Sequence, residues 1–174
     1  EWLMTDERIG DRLWQAIGAL PNGSGVVFRH YALQGEERAH LARRVAASCR
    51  ERALTLAIAR DVFLADSLDA DLVHNPVGDP SVLPTTRSAH SFEEAKAAVD
   101  AGSQLIFLSP ICRTQSHPQR EPLSRELARR IIAACPVPVI ALGGMNRTRF
   151  DERSSDGFYG WAGIHVWLNA QTKI

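Results

Sequence analysis

The feature that most constrains this chain is an alternation. Short apolar runs, each followed by a stretch with helical spacing or a polar loop, recur eight times with no linker between them. The runs fall at 2–5, 25–31, 54–59, 71–75, 82–90, 104–111, 137–144 and 158–168. Between them Ile9, Leu13, Ile17 and Leu20 share one helical face, and Leu41, Val45 and Cys49 form a stripe. Ser91 followed by Glu94 reads as a capping box for a helix that Gly102 stops, and Ser124 opens another carrying Leu127, Ile131 and Ile132. "QLIFLSPI" and "VPVIALGG" are apolar throughout rather than alternating, as strands buried on both faces are. The run from 82 contains Pro84, which fits only an early or edge position in a strand.

Strict alternation predicts a parallel sheet, and eight repeats predict a compact (β/α)8 TIM barrel, α/β in class, as one domain over 1–174. "NRTRFDERSSDG" leaves room for only a stunted seventh helix, and almost nothing follows the last strand. The chain has 174 residues, whereas such barrels usually take about 250, so periodicity alone keeps an open α/β sheet as the alternative. At 45% hydrophobic and 23% charged, the composition supports a core of that kind. Twenty basic against 20 acidic residues give no net charge, which argues against a nucleic-acid or membrane-surface partner. No run approaches the roughly 18 apolar residues of a membrane span, and the acidic, amphipathic start does not read as a signal peptide. Cys49, Cys112 and Cys135 are odd in number and lack zinc spacing, so they read as reduced thiols of a cytoplasmic protein. A missing eighth helix would leave apolar surface for self-association, a homodimer being the simplest form.

In a barrel, chemistry sits where strands end. Those places hold Arg29, His30 and Tyr31; Arg60 and Asp61; His74 and Asp79; Ser88 and His90; the stretch 109–117; Gly143 and Gly144; and 162–165. Any one of these could simply decorate a polar loop; their accumulation is the signal. No histidine pair has the short spacing of a metal site. Gly143 and Gly144 end a strand where backbone N–H groups can approach an anion, and "GWAG" offers Ala162 and Gly163 on the next one. Loops after the seventh and eighth strands commonly hold phosphate in these barrels; the bland reading is a glycine turn serving geometry alone. Cys112 beside Arg113 has no partner base nearby in the sequence, which makes it a poor nucleophile candidate.

With these positions laid out, the chain resembles the thiamine phosphate synthase family, which includes the TenI-like thiazole tautomerases. "WLMTDER", "DADLVHNPVGD", "RSAHSFEEAKAAVDAGSQLIFLSPICRTQSHPQREPL", "VPVIALGGMN" and "GWAGI" carry the resemblance across nearly the whole chain. It implies a (β/α)8 barrel. It also implies an enzyme of thiamine biosynthesis, joining a thiazole phosphate to hydroxymethylpyrimidine pyrophosphate with magnesium holding the departing pyrophosphate. By position, Arg29, Ser88, Thr114 and Ser116 correspond to pyrophosphate contacts, Asp79 to one of two magnesium aspartates, and Gly143, Gly144, Gly163, Ile164 and His165 to the phosphate-binding turns.

Other positions depart from that pattern. Val27 replaces a glutamine that reads the pyrimidine, and Tyr31 and His117 replace two lysines. Arg60 stands where the second magnesium carboxylate belongs; a cation there repels a divalent metal and could contact an anion directly, so magnesium is expected to be held weakly if at all. Pro110 takes the place of the tautomerase histidine, leaving His90 or His117 as the proton-transfer group in that reading. Three functions stay open: the synthase, a metal-independent thiazole tautomerase, and a non-catalytic barrel binding a phosphorylated thiazole.

Overall fold

A computed structural model describes residues 1–78, 82–114 and 119–168. Eight parallel strands close into a barrel in sequence order: β1 (Trp2–Met4), β2 (Gly25–Phe28), β3 (Thr55–Ala59), β4 (Leu72–His74), β5 (Thr85–Ala89), β6 (Leu105–Leu108), β7 (Val139–Leu142) and β8 (Gly160–Gly163). The helices are α1 (Leu13–Gly18), α2 (Gly35–Glu51), α3 (Val62–Ser67), α4 (Phe92–Asp100), α5 (Arg125–Ala134) and α6 (Arg147–Asp151). The barrel expected from the alternation is present, and the open sheet is excluded. Its economy lies in strands of 3–5 residues and in α1, α3 and α6, which have 6, 6 and 5.

The chain divides into two compact units, Glu1–Pro84 with the stretch from Ile164, and Thr85–Gly163. In the first, Trp2 pairs with Gly25, and a Cβ on Gly25 would strike the Trp2 ring, so the indole lies where only glycine leaves space. A tight 3-10 stretch, Glu7–Arg12, precedes α1 because Gly10 turns the backbone to φ 56°; Ile9, Leu13, Ile17 and Leu20 are still all buried. The α2 face differs from the predicted stripe. Leu41 is partly exposed, and the buried face is Arg38, Ala42, Val45, Ala46 and Cys49. Arg38 is tolerated inside because its head is satisfied: it donates to the carbonyls of His30 (3.2 Å) and Ala59 (2.8 Å) and pairs with Asp61 (3.2 Å). Burial also pushes the Cys49 thiol up to about 12, as suits an inert core residue.

In the second unit β5 to β8 run in register, with Ser88 beside Phe107 and Leu142 beside Ala162. Ser91, Ser124 and Asn146 cap α4, α5 and α6 by accepting the N–H groups of Glu94, Leu127 and Arg149. On α5 the buried residues are Ala128 and Ile131, while Leu127 and Ile132 are only partly covered. Where a full seventh helix would lie, α6 stops after 5 residues and a 3-10 turn, Ser154–Asp156, follows. The Asp156 carboxylate, wholly buried, accepts from Arg125 (2.7 Å), Arg129 (2.9 Å) and Arg153 (3.2 Å). After β8 the described residues hold a 3-10 turn, His165–Leu168.

Candidate functional site

In the first unit the end of β2 is built around Thr5. Its hydroxyl oxygen accepts the Arg29 N–H (3.0 Å) and lies 3.0 Å from Nδ1 of His30. The His30 ring is buried and stacked on Phe28 (4.9 Å), and burial lowers its pKa below the ordinary histidine value. It is a packing residue. The half-buried Arg29 guanidinium donates from Nε to the Thr5 carbonyl (3.2 Å) and reaches within 3.9 Å of Asp6. Burial, opposed by Tyr31 and Asp6, lowers its pKa, yet an arginine keeps its charge at any ordinary pH. Asp6 itself is held to about 2, chiefly by the Arg8 guanidinium, which grips both carboxylate oxygens at 2.6 Å.

Arg60 and Tyr31, both departures from the family pattern, meet: the guanidinium lies 4.4 Å above the tyrosine ring. The next residue, Asp61, is engaged on both oxygens, capping α3 through the Leu64 N–H (2.9 Å) and pairing with Arg38. Asp79, the other carboxylate expected here, lies outside the described residues, as do Ser116 and His117. The magnesium implied by the resemblance therefore finds no fitting donor set among the described residues: an exposed cation stands at one carboxylate position, the adjacent carboxylate is occupied, and no acidic or histidine cluster could hold a metal.

In the second unit the loop leaving β6 lies along the end of β7. Ile111 donates to the Leu142 carbonyl (2.9 Å) and Cys112 to that of Gly143 (3.0 Å). Gly143 and Gly144 have φ of 93° and 64°, and no acceptor among the described residues takes either N–H. Sterics also require glycine at both positions. A Cβ on Gly143 would come 2.9 Å from the Pro110 Cα, and one on Gly144 would meet the Arg113 carbonyl. The Gly144 carbonyl accepts from Arg149 on α6, a contact the sequence reading missed; its signal is the Asn146 cap, which turns the residue three positions on back over the glycines. The Leu142–Ala162 register brings the following residues, Gly143 and Gly163, to neighbouring strand ends. Ile164 and His165 belong with the first unit, His165 being exposed.

Ser88 is half-buried on β5, and Thr114 half-buried beyond β6. His90 follows β5; its backbone N–H donates to Glu94 (2.7 Å), and its Nδ1 lies 2.9 Å from the Ser109 carbonyl and 3.0 Å from the Ser109 hydroxyl. A carbonyl only accepts, so in the contact with Ser109 it is Nδ1–H that donates. Cys112 Sγ rests 3.9 Å from the sulfur of Met145.

The thiamine monophosphate synthase family model matches residues 3–166. The chain belongs to that family. It is 34% identical over 152 residues to the candidate thiamine-phosphate synthase 2 of Aquifex aeolicus (strain VF5), covering 82% of each chain. With the thiamine-phosphate synthase of Geobacillus thermodenitrificans (strain NG80-2) it shares 33% over 143 residues, 72% of this chain but only 63% of that one. Among solved structures, thiamine phosphate pyrophosphorylase from Pyrococcus furiosus matches with a TM-score of 0.79 at 23% identity, over 94% of this chain and 84% of that one. The corresponding enzyme from Bacteroides thetaiotaomicron gives 0.68 at 19%, over 99% and 86%. These two likenesses carry the barrel fold. No helix among the described residues is long and apolar enough to cross a membrane.

Proposed function

We propose that this protein is a thiamine phosphate synthase-like transferase that joins a thiazole phosphate to hydroxymethylpyrimidine pyrophosphate. The thiazole nitrogen forms a bond to the pyrimidine methylene carbon, the carbon–oxygen bond to pyrophosphate breaks, and the electron pair leaves with pyrophosphate. Family membership over 3–166 is the observation that carries this reading. The catalytic demand is charge stabilisation on the leaving group. Arg29, held by Thr5 and Asp6, supplies a fixed cation for it, and Arg60 supplies a second, exposed one. Ser88, Thr114 and Ser116 would add hydroxyl donors. The N–H groups of Gly143 and Gly144, which no acceptor among the described residues takes, would hold the thiazole phosphate, and Gly163, Ile164 and His165 would contribute by their correspondence to the family's phosphate-binding turns. Magnesium, with Asp79 as its remaining carboxylate, would contribute little; the location would be cytoplasmic, and the assembly a homodimer.

The contact between Nδ1 of His90 and the Ser109 carbonyl favours one second reading, metal-independent isomerisation of a thiazole carboxylate phosphate with Nε2 taking the proton. One assay separates the two: purified protein with both synthase substrates, pyrophosphate release measured with magnesium and with chelator. Slow release, weakly dependent on magnesium, is expected. Isomerisation of the thiazole alone, without pyrophosphate release, would establish the tautomerase. Tight thiazole-phosphate binding with neither reaction would leave the non-catalytic binder.

A further inference from the structure

The arginine cluster of the second unit carries more charge than its one carboxylate can balance. Arg125 and Arg129, both on α5, donate from Nε to the same Asp156 oxygen, and Arg153 takes the other. Arg125 and Arg129 each also reach the Ser155 hydroxyl oxygen from a terminal nitrogen, at 3.2 Å. None of the three arginines pairs with a second carboxylate among the described residues. Three positive charges against one negative leave an excess of two.

The placement of that excess is unusual. Residues at i and i+4 are neighbours on a helix, and like charges there are destabilising. Exposed arginines relieve such repulsion by swinging apart, but these two are held side by side on the same two partners, through the same pair of nitrogens. The Asp156 side chain is wholly buried, whereas those of Arg125 and Arg129 are 47% and 48% exposed, so the cluster shows solvent its cations and hides its anion. Each of the two guanidinium groups keeps one terminal nitrogen unspent among the described residues. The exposed Ser155 hydroxyl receives two donors, which leaves its own O–H to give. The accessible groups are therefore all donors, with two surplus positive charges. A neutral polar ligand would need an acceptor in return; an oxyanion needs none.

We infer that Arg125, Arg129 and Ser155 form a binding site for a phosphate dianion, free or as a monoester. The planar donors of paired guanidinium groups suit phosphate oxygens, and two negative charges match the excess. Asp156 fixes the inner edges of the guanidinium groups, which presets the outer ones. The site shares no residue with the glycine turn after β7 or with the pyrophosphate contacts proposed above, and it does not rest on the transferase reading.

The test is a titration of nitrogen-labelled protein with inorganic phosphate at fixed ionic strength, read on the arginine Nε–H signals and the Ser155 amide. The Arg125 and Arg129 signals should move with the Ser155 amide along one saturating curve, and chloride should leave them in place. Methyl phosphate should follow the same curve, while dimethyl phosphate, with a single charge, should bind about tenfold more weakly. Arg129→Gln should cost inorganic phosphate about tenfold; Arg125 and Arg153 still hold Asp156 in that variant. Ser155→Asp places a carboxylate against both guanidinium groups, so it should abolish the phosphate response and raise the thermal midpoint. A drift without saturation, an equal response to chloride, or unchanged phosphate affinity in folded Arg129→Gln or Ser155→Asp would overturn the proposal. Pyrophosphate release by Arg129→Gln should match that of the parent, which keeps this test separate from the synthase assay.

Discussion

Nδ1 of His90 stands 2.9 Å from the carbonyl oxygen of Ser109, a contact that joins the end of β5 to the end of β6 and favours a proton on Nδ1. At pH 8 the nitrogen spectrum of histidine-labelled protein should show one ring with Nδ1 protonated and Nε2 bare. Ser109→Ala should preserve that pattern, because the backbone carbonyl remains. An Nε2-protonated ring in both proteins would remove His90 as a proton acceptor through Nε2.

Gly144→Val tests the β7 turn. The added Cβ meets the Arg113 carbonyl, and φ of 64° disfavours any branched residue. Loss of stability of about 3 kcal/mol is expected from left-handed strain and overpacking together. A thermal melt unchanged from the parent would show that the loop from Pro110 to Arg113 yields freely.

The buried His30 predicts a pH dependence of stability. Burial lowers its folded-state pKa below the unfolded value of about 6.5, so the unfolded chain binds the proton more strongly. Its contribution is fully present above that value and declines as pH falls toward the folded pKa. Denaturant midpoints measured from pH 8 down to 5 should fall, and His30→Gln should flatten that slope. An equally steep slope in the variant would assign it to other groups.

Arg60→Asp restores a carboxylate where the family pattern has one. Aspartate also tolerates the left-handed backbone better than arginine does, so the variant should fold at least as well. Pyrophosphate release should become more dependent on magnesium without reaching full activity, since Val27 and Tyr31 remain. Brisk, strictly magnesium-dependent release by the unaltered chain would refute the role given to Arg60.

Asp156→Asn removes the negative charge, and one of the two acceptor oxygens, that three arginines share. Breaking a buried pair commonly costs 3–5 kcal/mol, and the half-exposed Arg125 and Arg129 reduce that to about 2 kcal/mol here. Burial alone would raise the Asp156 pKa, but the arginines outweigh it and lower it; this stability is present above about pH 4 and lost as pH falls further. Chemical denaturation at pH 7 and pH 3 should show the gap between the two proteins closing in acid.

Strand order and the barrel were legible because apolar runs and capping residues are local signals: Ser91 with Glu94, Ser124 and the continuous runs of β6 and β7 each sit where expected. The α2 face was misjudged because Arg38 is buried through partners 8, 21 and 23 residues away, which no helical spacing reveals. The stack of Arg60 on Tyr31 was hidden for the same reason: the residues were each visible as departures, but their meeting is a tertiary fact. Gly143 and Gly144 were legible as a turn, whereas the loop from β6 that demands glycine there could not be read from a strand-end motif.

The indole of Trp167 donates to the backbone carbonyl of Trp2 across 3.2 Å, and that contact has a consequence for synthesis on the ribosome. The first unit is discontinuous in sequence, while Thr85–Gly163 is continuous. Glu1–Pro84 must therefore emerge and wait, its β1 carbonyl and neighbouring apolar surface unfastened, through translation of the entire second unit. Only when the segment after β8 leaves the exit tunnel can the first strand be secured. Nascent chains halted before Trp167 should accordingly be the ones that chaperones hold.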